Sequence, residues 1–341
     1  MNEAAPRAPC ALVTGATGFL GLHLVEALLA AGWRVTALCR PTSDTTALRA
    51  LGVVALAGDV LDRRSVETAI TPDVTAIFHA AADMSVWRPR DLLQTHINVH
   101  GTDNVVAAAL AAHRPRLIHV STIAAFGEQR SPVTELTPST ARHSWINYEH
   151  SKWLAEEKVR AAVARGLPAM IVTPSAVIGP RDRLGWAKLF IGISRREVPF
   201  CPPGSGTFND VQAVAAALVA CATRGRAGEN YLLSGETLTF KALIHVAAAE
   251  IGVPAPKATL PGAVMRALVA IDDWRSTRRG VEPQMTREMA ALLCRNTLCG
   301  SRKAETELGY RPRPIEAAIR DSVRWLRGAG LLATPGRGTH I

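Results

Sequence analysis

Apolar runs of strand length alternate with helical periodicities through the first half of the chain. Residues 11–14 are apolar and end at Gly15, which predicts a buried parallel strand. Residues 21–31 then place apolar side chains at helical spacing and stop at Gly32. Five further strands are predicted at 34–39, 53–57, 75–79, 117–120 and 168–172, and four further helices at 45–51, 63–70, 92–112 and 148–165.

This alternation predicts an α/β fold in which right-handed crossovers build a doubly wound parallel sheet, the Rossmann fold. The pattern changes after Pro174, because proline and glycine cluster in a predicted loop region at 179–206. Helical periodicity returns at 211–223, 240–251, 263–274 and 315–326. We therefore expect a cofactor-binding domain at 1–175, a smaller, mostly helical substrate lobe interleaved with it at 176–330, and a frayed tail at 331–341.

The composition is that of a globular enzyme. Of the 341 residues, 48% are hydrophobic and 20% are charged, which allows a sizeable core. The net charge of +10 comes from scattered basic residues, so we expect no nucleic-acid partner. We also expect no membrane span and no signal peptide. The six cysteines form no CxxC pair and no metal-ligand spacing with histidine, which predicts reduced thiols, no metal and a cytoplasmic location.

Three glycines mark the point where the first strand ends and the first helix begins. Gly15, Gly18 and Gly21 allow a tight turn, and the helix N-terminus directs free N–H groups at a pyrophosphate. Their GxxGxxG spacing differs from the usual GxGxxG fingerprint, and an ordinary strand–helix turn is the alternative. The place of the turn in the first βα unit favours a dinucleotide site.

The ends of the next strands bear on the choice of dinucleotide. The second strand ends in Cys39-Arg40 without an acid, so Arg40 favours the 2′-phosphate of NADP over NAD, unless it is a solvated surface residue. Asp59 is placed to receive the adenine amino group or, alternatively, to cap a helix. The small residues Ala80, Ala81 and Ala82 would let the cofactor lie close to the fourth strand.

A tyrosine and a lysine form the candidate catalytic pair. Tyr148 and Lys152 are four residues apart on a predicted helix, so both project from one face. A nearby cation is what a tyrosine needs to act as an acid or base near neutrality. Alone the pair could arise by chance, but Ser121 and Thr122 follow the fifth strand at the sheet edge where ligands bind. These hydroxyls would hydrogen-bond a substrate oxygen or cap the strand end.

Eight short motifs follow one another along nearly the whole chain. They are TGATGFLG at 14–21, GDV at 58–60, FHAAA at 78–82, NVHGT at 98–102, VST at 120–122, YEHSK at 148–152, PSAVIGP at 174–180 and ELGYRP at 307–312. On these motifs the sequence resembles an extended short-chain dehydrogenase/reductase of the NAD-dependent epimerase/dehydratase superfamily. Within it, the chain is similar to the dihydroflavonol-reductase-like branch and to the hopanoid-associated sugar epimerase-like proteins.

The resemblance implies the catalytic roles. Tyr148 would be the general acid/base, Lys152 the cation that lowers its pKa and holds the nicotinamide ribose, and Thr122 the hydroxyl that orients the substrate oxygen, with Ser121 as its alternative. The nicotinamide would deliver a hydride to a carbonyl carbon while Tyr148 protonates the oxygen. The family also suggests a homodimer through residues 92–112 and 148–165. The implied cofactor contacts are Gly15, Thr17, Gly18, Phe19, Leu20, Gly21, Arg40, Asp59, Val60, Ala80, Ala81, Ala82, Ser121, Tyr148, Lys152, Pro174 and Val177.

Two departures from the family pattern narrow the reaction. Cys39 stands where NAD-dependent relatives usually keep an acid, which supports NADP. Ile123, Ala124 and Ala125 follow Thr122 without the acid pair of the family's sugar dehydratases, which counts against dehydration.

Aromatic and apolar residues from both halves are expected to line the substrate site and suggest an apolar or flat substrate, although several could be core residues. The predicted lining residues are Ser85, Trp87, Phe126, Ile178, Trp186, Phe190 and Phe208. Arg181, Arg183, Arg195 and Arg196 could instead bind a diphosphate or form a solvated rim. Three functions follow. The favoured one is an NADP-dependent ketone/alcohol oxidoreductase on a lipid-, steroid-, polyketide- or flavonoid-like molecule. The others are a nucleotide-sugar epimerase or reductase and a non-catalytic cofactor-sensing protein.

Overall fold

The computed structural model describes residues 8–332, which form two sheets and the helices around them. The strands are β1 Cys10–Thr14, β2 Arg34–Cys39, β3 Val54–Ala57, β4 Val74–His79, β5 Arg116–Val120, β6 Ala169–Pro174, β7 Ala176–Ile178, β8 Ser205–Asp210, β9 Asn230–Leu233, β10 Glu236–Thr239 and β11 Asn296–Thr297. The helices are α1 Phe19–Ala30, α2 Thr46–Ala50, α3 Arg63–Ala69, α4 Asp91–Thr95, α5 Gly101–Ala111, α6 Asn147–Ala164, α7 Trp186–Ser194, α8 Val211–Arg224, α9 Phe240–Ile251, α10 Gly262–Arg278, α11 Arg287–Leu293, α12 Arg302–Leu308 and α13 Ile315–Gly328.

The larger sheet is the predicted doubly wound parallel sheet. Its strand order is β3-β2-β1-β4-β5-β6-β9, and every pair of neighbours is parallel. Helices α1 and α8 cover one face through residues such as Leu24 and Leu218, while α5 and α6 cover the other through Val105 and Val159. The Rossmann prediction is confirmed, and the carboxyl ends of the strands meet at one edge.

The seventh strand of this sheet comes from the second half of the chain. Residues 211–233 return to the larger sheet, where α8 packs against α1 and β9 pairs with β6. Residues 1–175 therefore do not complete the larger sheet by themselves, and the two parts of the chain are interleaved in space.

The second lobe is mostly helical, as predicted, and it also contains a small sheet of its own. Strand β8 pairs antiparallel with β10 and parallel with β7 and β11. The region predicted as loop at 179–206 also contains α7. Helices α7, α9 and α13 pack with this sheet around a core that includes Phe190 and Phe208.

The predicted helix at 92–112 has an irregular middle. Helices α4 and α5 are joined by a π-helical turn at His96–His100, and the backbone stays right-handed throughout. Such insertions are frequent near functional sites. Within residues 8–332, no helix is both long enough and apolar enough to cross a membrane. Of the predicted tail, residues 333–341 lie outside the described residues.

Candidate functional site

The glycine turn is so tight that two of its glycines cannot carry a side chain. Gly15 has a φ of +74°, and a Cβ on it would lie 2.6 Å from the Ala81 backbone nitrogen. A Cβ on Gly21 would lie 2.0 Å from the Gly15 carbonyl oxygen. The Gly18 N–H closes the turn by donating to the same oxygen at 3.0 Å. The turn therefore holds β1, β4 and the start of α1 in direct backbone contact.

The N-terminus of α1 is open toward the sheet edge. Gly18 is its N-cap, and no side chain accepts a hydrogen bond from the first turn. The first intrahelical donor outside the cap is Leu22, whose N–H bonds Gly18 O, so the N–H groups of Phe19, Leu20 and Gly21 have no helical acceptor. Free donors at a helix N-terminus fit a pyrophosphate, and Thr17, half-buried, lies in the same turn.

A buried histidine hydrogen-bonds the strand residue that directly precedes this turn. His79 Nδ1 lies 2.8 Å from Thr14 Oγ1, and its Nε2 lies 3.0 Å from Thr102 Oγ1. Thr102 donates its own hydroxyl to Asn98 O at 2.6 Å, so it accepts from His79 Nε2–H and leaves Nδ1 as an acceptor. Burial lowers the pKa of His79 to about 3, which keeps the ring neutral. In the sequence, His79 stands out only as a member of the motif at 78–82.

The candidate 2′-phosphate and adenine residues lie at neighbouring strand ends. Arg40 is exposed after β2 and forms no ion pair within residues 8–332. Gly58 N bonds Cys39 O at 2.9 Å, which brings the end of β3 beside it. Asp59 accepts from Leu61 N–H at 3.0 Å, whereas α3 is capped by Asp62. The alternative role of Asp59 as a helix cap is therefore not the one observed.

The other predicted cofactor contacts line the same edge. Ala80, Ala81 and Ala82 follow β4 directly, and Ala80 and Ala81 contact the glycine turn. Val60 is buried under Gly101, Pro174 is buried at the end of β6, and Val177 is half-buried on β7. The predicted set therefore converges on the carboxyl ends of β1, β2, β3, β4 and β6.

Helix α6 directs the predicted catalytic pair toward the end of β5. The Thr122 side chain lies close enough to the Tyr148 hydroxyl to lower the pKa of the tyrosine. One turn along the helix, buried Lys152 donates from Nζ to Val120 O at 2.9 Å. Ser121 donates its hydroxyl to the buried carboxylate of Glu156. Thr122 therefore faces Tyr148, and the Ser121 hydroxyl is occupied elsewhere.

Burial controls the charge of this pair in the ligand-free chain. It lowers the pKa of Lys152 to about 8, and Glu156 opposes the shift. It raises the pKa of Tyr148 to about 12, and the hydrogen bond from Thr122 opposes the shift. Tyr148 as a whole residue is only half-buried. A positive charge brought close to Tyr148 would lower its pKa.

The predicted substrate residues divide into two groups. Ser85, Trp87 and Trp186 are half-buried and keep accessible surface. The other four are buried in cores: Phe126 packs with Ile123 and Val133, whereas Ile178, Phe190 and Phe208 belong to the core of the second lobe. In this conformation these four residues have little or no surface that a ligand could contact.

Two structural features of the site were not identified from the sequence. Asn98 accepts from Asp83 N–H at 2.8 Å and donates to Ser151 Oγ at 3.1 Å, which fastens the loop before Ser85 to α6. Glu149, next to Tyr148, is buried against Arg295 of the second lobe at 2.7 Å. In the sequence both stand only as members of the motifs at 98–102 and 148–152, because their contacts are with partners distant in the chain.

The fold and this site define an extended short-chain dehydrogenase/reductase. The chain belongs to the NAD dependent epimerase/dehydratase family, whose model matches residues 11–233. It is 31% identical to "Sterol demethylase protein B" of Methylococcus capsulatus over 94% of this chain and 99% of that protein. It is 29% identical to a "4-hydroxy-2-methyl-3-oxo-4-farnesyl-3,4-dihydroquinoline-1-oxide ketoreductase" of Stigmatella aurantiaca, over 95% and 98% of the two chains.

Two solved structures share this fold. The crystal structure of gox2253 matches with a TM-score of 0.84 and 32% identity, over 95% of this chain and 99% of that one. PA4631, described as a nucleoside-diphosphate-sugar epimerase from Pseudomonas aeruginosa, matches with a TM-score of 0.80 and 25% identity, over 96% and 100%.

Proposed function

We propose that this protein is an NADP-dependent oxidoreductase that interconverts a ketone and a secondary alcohol on an apolar or flat substrate. The observation that carries the proposal is the meeting of Thr122, Tyr148 and Lys152 at the end of β5, beside a glycine turn shaped for a pyrophosphate. The protein's membership of an oxidoreductase and epimerase family also supports this proposal.

The protein's own residues position the substrate and move one proton. The nicotinamide, when bound, supplies the hydride that reduces the carbonyl carbon. Thr122 hydrogen-bonds the carbonyl oxygen and orients it toward Tyr148, whose hydroxyl donates a proton to that oxygen. Lys152, charged below a pKa of about 8, stabilises the tyrosinate that remains. The reverse sequence oxidises the alcohol, with Tyr148 as the base.

The cofactor preference rests on the end of β2. Arg40 is an exposed guanidinium that forms no ion pair among the described residues, and no acid stands there to bind the ribose hydroxyls of NAD. A 2′-phosphate would give Arg40 a charged partner, which supports NADP.

The substrate class rests on the half-buried tryptophans and on the relatives. Trp87 comes from the first half of the chain and Trp186 from the second half. The names of similar proteins include a putative dihydroflavonol 4-reductase and two 2-alkyl-3-oxoalkanoate reductases, besides the two given above. Each name refers to a carbonyl-bearing or largely apolar molecule, which supports the same class here.

The nucleotide-sugar alternative has less support. Of the arginines expected to bind a diphosphate, Arg181 is paired with Glu26 at 2.7 Å, and Arg183 stacks over Trp325. Arg195 and Arg196 are exposed after α7. The third alternative is a non-catalytic cofactor-sensing protein. It has less support because it gives the arrangement of Thr122, Tyr148 and Lys152 no role.

The test compares wild type with Tyr148→Phe. NADPH consumption is followed with a panel of apolar ketones, and binding of NADPH, NADH and UDP-sugars is measured by thermal shift. We expect Tyr148→Phe to keep NADPH affinity and to lose about 10²- to 10⁴-fold in kcat. Turnover that survives the substitution would refute the mechanism, and stabilisation by UDP-sugars in place of apolar ketones would favour the alternative.

Assembly and location are proposed with the activity. We propose a cytoplasmic protein that forms a homodimer through α4, α5 and α6, where Leu92 and Leu93 of α4 are exposed. Sedimentation velocity of wild type against Leu92→Glu tests the dimer. A monomeric wild type would refute it.

A further inference from the structure

Helix α10 presents apolar residues on two opposite sides. One side, with Met265 and Val269, is buried against Ala290 of α11. The other carries Val264, Leu268, Ile271 and Trp274, whose exposed fractions are 45%, 52%, 51% and 51%. A large apolar side of a helix is normally covered by a neighbouring element. Within the described chain, nothing covers the second side of α10.

The exposed residues form one continuous stripe. Val264, Leu268 and Ile271 follow the spacing i, i+4, i+7, and Trp274 lies one turn beyond Ile271. The stripe therefore runs about 15 Å along the helix. Contiguous apolar surface of this kind marks an interaction site more often than scattered exposed side chains do.

Basic side chains occupy the C-terminal end of the stripe. Arg275 and Arg278 lie on its side of the helix, and Arg278 covers the Trp274 ring at 4.0 Å. Within residues 8–332, neither arginine forms an ion pair, whereas Asp273 is engaged by Arg287 at 3.2 Å on the buried side. An apolar stripe bordered by tryptophan and unpaired arginines matches the pattern of a helix lying in an anionic membrane interface.

Helix α10 is connected through α11 to the loop that carries Trp87, a predicted substrate residue. Helix α11, on which α10 rests, places Glu288 3.6 Å from Arg88. Arg88 directly follows Trp87 in the loop fastened by Asn98 and Asp83. A bilayer bound by the exposed side of α10 would therefore be separated from this loop by α10 and α11.

We propose that the exposed face of α10 docks the protein peripherally on an anionic phospholipid bilayer. The inference rests on the proposed function, because a membrane-dissolved, apolar substrate would then reach the predicted substrate site from the bilayer. The helix lies in the interface and does not span it. A second copy of the chain is less suited to this face, since Asp272 is the one exposed acid on α10 and it cannot balance both Arg275 and Arg278.

The experiment measures vesicle binding without cofactor or substrate, so its outcome is independent of the proposed reaction. The full chain is sedimented with vesicles of phosphatidylcholine and with an equimolar mixture of phosphatidylcholine and phosphatidylglycerol. We expect binding to the anionic vesicles that weakens between about 0.1 M and about 1 M salt. The variants are Leu268→Glu, Ile271→Glu and the double variant Arg275→Gln/Arg278→Gln.

Val54→Glu is the matched control, because Val54 is 58% exposed on the edge strand of the larger sheet. Each glutamate on α10 should weaken the partition coefficient at least about tenfold, as loss of one buried apolar side chain implies. The double arginine variant should lose the preference for anionic vesicles, and Val54→Glu should bind like wild type. NADPH binding and thermal unfolding show that each variant is folded.

Three results would overturn the inference. The first is a wild type that stays in the supernatant with both vesicles. The second is equal loss in Leu268→Glu and Val54→Glu. The third is a wild-type oligomer that Leu268→Glu dissociates in sedimentation velocity, which would show that a second copy covers the stripe.

Discussion

Replacing Gly21 by alanine tests whether the glycine turn holds the cofactor. The new Cβ would lie 2.0 Å from Gly15 O and 2.8 Å from Ala16 Cα, both backbone atoms. Non-bonded heavy atoms pack at about 3.5–4.0 Å, so the turn has to open by about 1.5 Å. This displacement moves the free N–H groups at the start of α1 away from a bound phosphate.

The effects on affinity and on stability should differ in size. A hydrogen bond to a charged group contributes about 1.5–3 kcal/mol, so each one lost weakens NADPH binding about 10- to 100-fold. Overpacking costs about 1–3 kcal/mol of stability. The better helix propensity of alanine returns up to about 1 kcal/mol of that. Because up to three free N–H groups would be displaced together, Gly21→Ala should lose more binding free energy for NADPH than free energy of unfolding.

Gly32→Ala is the control for this experiment. Gly32 follows α1 with a φ of +79°, and a Cβ there would meet no atom within 4 Å. The left-handed backbone costs an alanine about 1–2 kcal/mol of stability, with no displacement of the turn. Titration with NADPH and thermal unfolding are measured for both variants. If Gly21→Ala binds NADPH as wild type does, or if Gly32→Ala loses as much affinity, the reasoning is refuted.

Three further predictions concern the charged and hydroxyl groups of the site. Burial lowers the pKa of Lys152 from 10.5 to about 8, so the ligand-free fold loses stability as pH falls from 10.5 through 8. The free energy of unfolding of Lys152→Met should exceed that of wild type by roughly 1–3 kcal/mol at pH 7 and by less at pH 10.5, and the variant should have no turnover. The same difference in unfolding midpoint between variant and wild type at both pH values would contradict this. Arg40→Ala should weaken NADPH about tenfold or more and leave NADH nearly unchanged, by titration; equal loss for both would remove the basis for NADP. Thr122→Val should lower kcat, whereas Thr122→Ser, which keeps the hydroxyl, should restore most of it; a fully active valine variant would exclude the orienting role.

The larger sheet was predictable because its strands are buried on both faces. Strands such as β1 and β6 then read as continuous apolar runs, which stand out against the helices between them. Strand β8 is equally protected but has the sequence SGTFND, whose polar residues are satisfied by distant partners. Asn209 binds Ser175 and Leu233, and Tyr310 donates to it at 2.6 Å. No local pattern encodes such a strand.

The candidate site likewise contains residues that the sequence identifies and residues whose roles appear only in the folded chain. Tyr148 and Lys152 are recognisable from the sequence because their roles depend on a spacing within one helix. The contributions of Asn98 and His79 depend on which residues the folded chain brings beside them. Of the predicted substrate residues, Phe190 and Phe208 have aromatic side chains that suit a ligand or a core equally well, and the structure buries both.

The return of residues 211–233 to the larger sheet has a consequence for biosynthesis and folding. Until Asn230–Leu233 has left the ribosome, the growing chain exposes β6 as an unpaired edge strand. Unpaired edges invite association with other chains. Pairing of β6 with β9 bridges about sixty residues, and such non-local contacts slow folding. The sheet that carries the cofactor turn is therefore completed only after much of the second lobe has been synthesised.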